Sequence, residues 1–289
     1  MKIISAKLVF LLITCLSITT IYAQDAQHID VTRYTASNKG KFTVSWGGNR
    51  ESFSKSDIRF QGDNYDFTIK DASAVDKPKG WHLDYVNPTR MTIPQTNFKL
   101  GYYISDHYVV SLNVDHMKYV MVRNQNKVVD GYINLPDTEA GSEYNGNYDN
   151  ETTFVSEDFL KFEHTNGLNY VYIEFSRVDD ISKLFGVNNT DIFQLNVTEG
   201  IGGGILYPKS NTTLLKKDKY DEFHLSGFGT SLNVGLNFTF FKHFYIQTDL
   251  RGGFINMSDI RTTSNTNEKA SQHFFFLQRV ISFGGIFRL

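Results

Sequence analysis

The 289-residue chain holds a single cysteine, Cys15. One thiol can neither staple a disulfide scaffold nor build a thiolate metal site. Long apolar runs are missing beyond the N-terminus, and the mean hydropathy is −0.31. That excludes a bundle of transmembrane helices, each of which takes about 20 apolar residues. Charge of one sign is missing too: 29 basic residues face 31 acidic ones, so there is no basic surface for nucleic acid. No nucleotide-binding glycine loop, no serine elbow and no His-rich metal motif occurs, so neither cofactor nor metal is expected. Proline is down to five residues, while 24 Phe and 16 Tyr are present. That is more apolar surface than a disordered chain carries.

The first residues read as an address. Lys2 and Lys7 form a positive region, Leu8 to Ile18 a mostly apolar one, and Ile21-Tyr22-Ala23 a cleavage site. Residues 1–23 are therefore expected to be a secretory signal peptide. An uncleaved anchor, or a lipoprotein lipidated at Cys15, are the alternatives. Residues 24–40 are expected to be a periplasmic N-terminal segment, and 41–289 the folded body.

Beyond it the sequence alternates. Phe98, Leu100, Tyr102 and Ile104 share one parity, and after the turn at Ser105-Asp106-His107 so do Tyr108, Val110, Leu112 and Val114. Leu232, Val234, Leu236, Phe238 and Phe240 follow the same rule, then Phe244, Ile246 and Leu250 after a turn at Lys242-His243. Period-2 alternation marks β-strands with one apolar and one polar face. Several runs exceed the usual five or six residues and match the ~10 tilted residues that cross a bilayer. Their polar parity carries Asn, Ser, Thr, Gln and charges of both signs, as the lumen of a narrow barrel does.

Eight strands are expected, at about 41–50, 95–104, 108–121, 167–177, 192–206, 222–241, 243–257 and 271–289. Short connections at 105–107, 178–191 and 242 alternate with long ones at 51–94, 122–166, 207–221 and 258–270. The fold class expected is all-β, an eight-stranded antiparallel up-and-down transmembrane β-barrel with long extracellular loops. Proline cannot donate to a ladder, and Pro78, Pro88, Pro94, Pro136 and Pro208 fall in or beside the long connections. The fifth strand would turn Glu199 toward lipid, so a bulge or the membrane boundary is expected there.

Ile281, Phe283, Phe287 and Leu289 share one parity at the C-terminus, with Gly285 interrupting it. This resembles the terminal-strand signal of bacterial outer-membrane β-barrel proteins, with Leu in place of the usual terminal Phe. The Tyr/Phe/Asn-rich style is similar to barrels of Bacteroidota. The resemblance implies a cell outer-membrane location, recognition by the barrel-assembly machinery, and contact with outer-membrane lipid and lipopolysaccharide.

In the first long connection, Ile58, Phe60, Tyr65, Phe67 and Ile69 flank Gly62-Asp63-Asn64 and read as a hairpin; Lys127 to Ile133 read as an extension of the third strand. Residues 122–165 hold nine acids, Asp130, Asp137, Glu139, Glu143, Asp149, Glu151, Glu157, Asp158 and Glu163, against Arg123, Lys127 and Lys161. They suit a solvated loop, or cation binding that bridges to lipopolysaccharide phosphates. His82, His116 and His164 read as surface histidines. Lys99, Asp115, Glu174, Asp249 and Arg251 all fall on the lumen parity. Opposite charges in a narrow barrel must pair, so they read as a polar plug.

His224-Leu225-Ser226 lies near the outer end of the sixth strand, with both polar residues on the lipid-facing parity. The pair resembles the catalytic pair of lipid A 3-O-deacylases, in which His activates Ser for attack on an ester. That family's acid, about a dozen residues further on, is replaced here by Phe238; Asp259 or Glu268 could reach from the last long loop. Three functions follow. The first is a non-enzymatic outer-membrane barrel with a surface-loop binding or envelope-structural role. The others are a lipid A-modifying esterase and a narrow transporter of small apolar solutes.

Overall fold

The computed structural model describes residues 38–77, 95–220 and 222–289. The expected signal peptide, nearly all of the N-terminal segment, His82, Pro78, Pro88 and Pro94 lie outside them. Among the described residues there are fourteen strands: β1 (Phe42–Phe53), β2 (Ser56–Gly62), β3 (Tyr65–Ala72), β4 (Ala74–Val75), β5 (Thr96–Tyr103), β6 (Tyr108–Met121) and β7 (Gln125–Ile133), then β8 (Gly146–Val155), β9 (Leu160–Asp180), β10 (Phe193–Leu206), β11 (Asn211–Leu214), β12 (Gly227–Phe240), β13 (Phe244–Arg261) and β14 (Lys269–Phe287).

Eight of them, β1, β5, β6, β9, β10, β12, β13 and β14, pair antiparallel with the next in this series, and β14 closes back on β1. Following paired residues from Ser52 through Leu277, Gly252, Leu232, Ile201, Phe175, Val110 and Tyr102 returns to β1 at Phe42, ten residues earlier. Strands staggered in this way are tilted to the ring axis.

The alternation sorts side chains as the sequence predicts. Outward Trp46, Leu100, Leu112, Ile173, Ile201, Leu232 and Phe283 are 44–62% exposed, whereas Ser111, Asn113, Asp115, Glu174, Ser231 and Gln278 are buried. One interior aromatic exploits a missing side chain. Tyr245 lies flat on Gly284, where a Cβ would come within 2.2 Å of its ring. Strand β10 is regular where a bulge was allowed for: its pairing with β12 and β9 runs without a shift. Glu199 is exposed and stands opposite Arg177, toward the end of the ring that carries the short connections. The bulge is therefore absent at this position.

The other six strands lie in the long connections or continue from them. From the first residues of β14 the sheet continues through β2, β3, β7 and β8, while β4 pairs with the end of β6 and β11 with the start of β9. The β2–β3 hairpin is as expected. Residues 127–133 instead belong to a separate strand, β7, because the chain turns at Asn124 in the left-handed region (φ 51) before pairing with β3 and β8.

These strands enclose an aromatic core, called the cap here. Phe60 packs on Phe67 and Phe162, Phe67 on Phe159, and Tyr119 on Phe274, with ring centroids 5.0–5.7 Å apart. Each fully buried Phe stabilises the cap by about 1.5–3 kcal/mol. Strand β9, 21 residues long, runs from cap to ring, so the two zones share one continuous sheet.

Candidate functional site

Inside the ring, the structure brings all five lumen candidates together. Strand β13 aims Arg251 across the interior; its Nη1 donates to Asp115 Oδ2 of β6 at 2.6 Å and to Gln278 Oε1 of β14 at 2.9 Å, and its Nη2 to Glu174 Oε2 of β9 at 3.2 Å. Lys99 Nζ of β5 donates to Glu174 Oε1 at 2.7 Å. Asp249 accepts from Gln247 Nε2 at 2.9 Å, in space that Gly235 leaves open, since a Cβ there would meet Asp249 Oδ1 at 2.1 Å. The guanidinium also sits 5.0 Å from the Tyr172 ring centroid. Tyr172 stacks on Tyr170 at 4.2 Å, and this pair is the floor of the aromatic core above.

Four partners of this network were not singled out from sequence: Glu51, Gln278, Asn97 and Gln247. Gln278 Nε2 donates to Glu51 Oε1 at 3.1 Å, and Asn97 Nδ2 to Asp115 Oδ1 at 2.5 Å. Their lumen parity was the available signal. Glu51 lay past the expected end of the first strand, and the amides carry no charge to draw notice. Between Ser45, Lys99, Asp115, Gln247, Asp249 and Arg251 the interior leaves a cavity of about the size of one water molecule.

Five of the nine acids of 122–165, Asp130, Glu139, Glu143, Glu157 and Glu163, are held in ion pairs. Glu163 is the hub: Arg123 Nη2 stands 3.0 Å away, Lys161 3.5 Å and Lys77 3.7 Å. Burial opposes ionisation of Glu163, but Lys77, Lys161 and Arg123 outweigh it and hold the carboxyl below its ordinary range. Lys217 bridges Glu139 and Glu268 at 3.0 and 2.5 Å, Lys216 pairs with Glu143, and Lys70 with Asp130 at 3.4 Å. No group of three or more His, Cys, Asp or Glu side chains suited to a metal ion occurs among the described residues.

Two histidines read as surface residues are interior. His116 is buried in β6, with Nδ1 2.8 Å from Asn169 Oδ1. His164 is fully buried in the cap between the rings of Tyr119 and Phe162, with Nδ1 2.8 Å from Ser210 Oγ. Burial pushes its imidazole down to about 3, against the opposing pull of Glu163. Strand β9 continues seven residues above the predicted start at 167, which carries His164 into the cap.

The His224–Ser226 pair departs from its expected geometry. Strand β12 begins at Gly227, not at 222, so the parity of Leu232 does not extend to the pair: Phe228 is exposed, but Ser226 is 2% exposed and Leu225 53%. His224 Nε2 lies 2.8 Å from Asp259 Oδ2, so an acid does reach the imidazole. Ser226 Oγ donates instead to the His224 carbonyl, at 3.4 Å. The structure thus assembles the Asp–His part of a relay and leaves the hydroxyl bonded elsewhere.

At the C-terminus, Ile281 and Phe283 face outward and Phe287 stacks on Phe42, whereas Leu289 lies past the strand end.

No family model matches the sequence, nor does any curated protein. Among solved structures, the chain is similar to Ail, the attachment invasion locus protein of Yersinia pestis, at 13% identity and TM-score 0.33, covering 86% of this chain and 99% of that one. It is similar to the outer membrane protein OprG from Pseudomonas aeruginosa at 10% identity and TM-score 0.33, over 87% and 97%. With the outer membrane protease OmpT from Escherichia coli it shares 8% identity and a TM-score of 0.33, over 88% and 99%. Scores this low say nothing of activity or ligand.

Proposed function

We propose that the chain is a non-enzymatic β-barrel of the bacterial outer membrane that holds a rigid β-cap outside the cell for contact with a ligand or with the envelope. The reading rests on one observation, the reversal of polarity along the strands. Around the ring, the outward side chains are mostly apolar while Lys99, Asp115, Glu174, Asp249 and Arg251 face in; in the cap, Phe60, Phe67, Phe159 and Phe162 are inside and the surface carries ion pairs. An apolar exterior of that extent is costly in water and favourable in lipid. The cap's arrangement is that of a water-soluble sheet.

In this reading the eight ring strands span the membrane up and down. The short connections and residues 24–40 are periplasmic, residues 1–23 are a cleaved signal peptide, and Ile281, Phe283, Phe287 and Leu289 are the segment read by the assembly machinery. The charged interior and the aromatic core above it do not suit a small apolar solute, which argues against the transporter. The esterase alternative has the His224–Asp259 contact in its favour. Against it, Ser226 Oγ is turned to a carbonyl, and a nucleophile needs its base within hydrogen-bond reach.

Protease accessibility in intact cells tests the proposal. A cleavable tag inserted at Asn147 or Asn265 is expected to be cut from outside, and one at Asp106 to be protected. Protection at both upper sites with cutting at Asp106 would invert the orientation and overturn the role of the cap.

A further inference from the structure

Two arginines stand among apolar residues on the outward face of the ring. Arg50 of β1 and Arg279 of β14 are direct cross-strand partners across the seam that closes the ring. Both lie on the exposed parity. Below them on that face come Trp46, Ile281 and Phe283, and above them Leu277 and Phe275, all well exposed, so the pair does not sit at the edge of the apolar zone. Partners directly opposite have Cβ atoms about 5 Å apart, and like charges there repel.

Neither arginine has a carboxylate partner among the described residues; Arg50 Nη1 donates only to the carbonyl of Asn49, at 2.8 Å. Four other arginines are paired with acids, in Arg59–Asp66, Arg123–Glu163, Arg177–Asp179 and Arg251–Asp115. The surface beside the pair is bare. A side chain at outward Gly252 would meet nothing within 4 Å, and one at Gly48 only the Gln95 carbonyl at 3.5 Å.

We propose that Arg50 and Arg279 clamp the phosphate of a membrane lipid whose acyl chains lie on the apolar face around Gly48 and Gly252. The proposal rests on the membrane reading above. Two guanidinium forks side by side match the several acceptor oxygens of a phosphate. One anion between them replaces the repulsion of like charges with two charge-assisted contacts. Glycine on either side leaves room for the lipid body, and the apolar residues above and below suit its chains. The phosphate is held below the rim of the apolar zone, so the lipid is drawn against the seam rather than merely attracted to a charged edge.

The test uses the full chain in phosphatidylcholine nanodiscs doped with diphosphorylated lipid A. Retention of lipid A through detergent exchange is read by native mass spectrometry. Arg50→Gln/Arg279→Gln is expected to retain about tenfold less than the wild type. Dephosphorylated lipid A should be held poorly by both proteins, and excess inorganic phosphate should displace little of the bound lipid. Equal retention by wild type and double variant would overturn the proposal. Full displacement by inorganic phosphate would also overturn it, marking a free-anion site. Heat-modifiable migration and resistance to carbonate extraction are measured on the same samples. A wild type that carbonate extracts defeats the membrane reading and this proposal together, whereas integral, folded proteins with equal retention defeat the lipid clamp alone.

Discussion

Replacing Arg251 by Met tests whether the charged interior stabilises the ring. The substitution removes three hydrogen bonds, to Asp115, Gln278 and Glu174, while a side chain of similar length keeps the space filled. Removing one partner of a buried ion pair costs about 3–5 kcal/mol, because the other charge is left uncompensated. The carboxylates here retain help. Asp115 still accepts from Asn97 at 2.5 Å and Tyr172 at 3.2 Å, and Glu174 from Lys99 at 2.7 Å and Ser176 at 2.8 Å. The loss should therefore lie at the lower end, about 3 kcal/mol, with a smaller share from the lost contact to the Tyr172 ring. Urea unfolding in lipid vesicles, followed by fluorescence, measures it directly. Adding Asp115→Asn to Arg251→Met should recover part of the loss, since the orphaned charge goes with it. A loss below about 1 kcal/mol, or a double variant no more stable than Arg251→Met, would refute the account of the interior as a mutually dependent ionic network.

Acid should loosen the cap before the ring. His164 is held neutral down to about 3, so below about 6.5 the unfolded cap binds a proton that the folded cap refuses. Each unit of pH then costs up to about 1.4 kcal/mol. Glu163, depressed by its three cations, adds a loss in the same direction as pH falls through its folded value. Limited proteolysis of the cap between pH 7 and 4 should show this, and His164→Gln should flatten the profile; a profile unchanged by that substitution would contradict it. Phe287→Asp with Leu289→Asp is expected to abolish surface levels while costing little equilibrium stability, as Leu289 lies beyond the last strand; normal levels in a surface-labelling assay would remove the assembly role. Ser226→Ala should leave lipid A acylation and heat-modifiable migration as in the wild type, and a lipid A species one acyl chain shorter seen only with Ser226 intact would establish the esterase.

How much of this was legible in the sequence depended on which faces water and neighbours cover. Where a strand has one apolar and one polar face, the period of two located it, and β6 begins and ends where expected. The same parity sent Lys99, Asp115, Glu174, Asp249 and Arg251 to one interior. Above the ring the signal fails because burial no longer alternates. From His116 to Met121 every residue of β6 is buried, so His116 looked like a strand-end residue. Strand β8 is exposed along nearly all its length and carries no apolar period to read. Residues 222–226 kept a strand-like pattern without a ladder, and so His224 and Ser226 were assigned a face they do not occupy.

The closure of β14 on β1 also governs when the molecule can exist. Phe42 pairs with Phe287 and Ile58 with Gln272, so each of the first two described strands finds one of its two partners among the last residues of the chain. Both the ring and one wall of the cap carry the contact order of almost the whole polypeptide. Such pairings must meet the entropy of closing a very long loop before any contact rewards it. Spontaneous folding should therefore be slow, and a chain stopped short of Lys269 would leave β1, β2 and β13 each with an open edge, and an unroofed aromatic core. Completion of the C-terminal strand is in effect the quality check, since a half-made molecule has nothing with which to hide its edges.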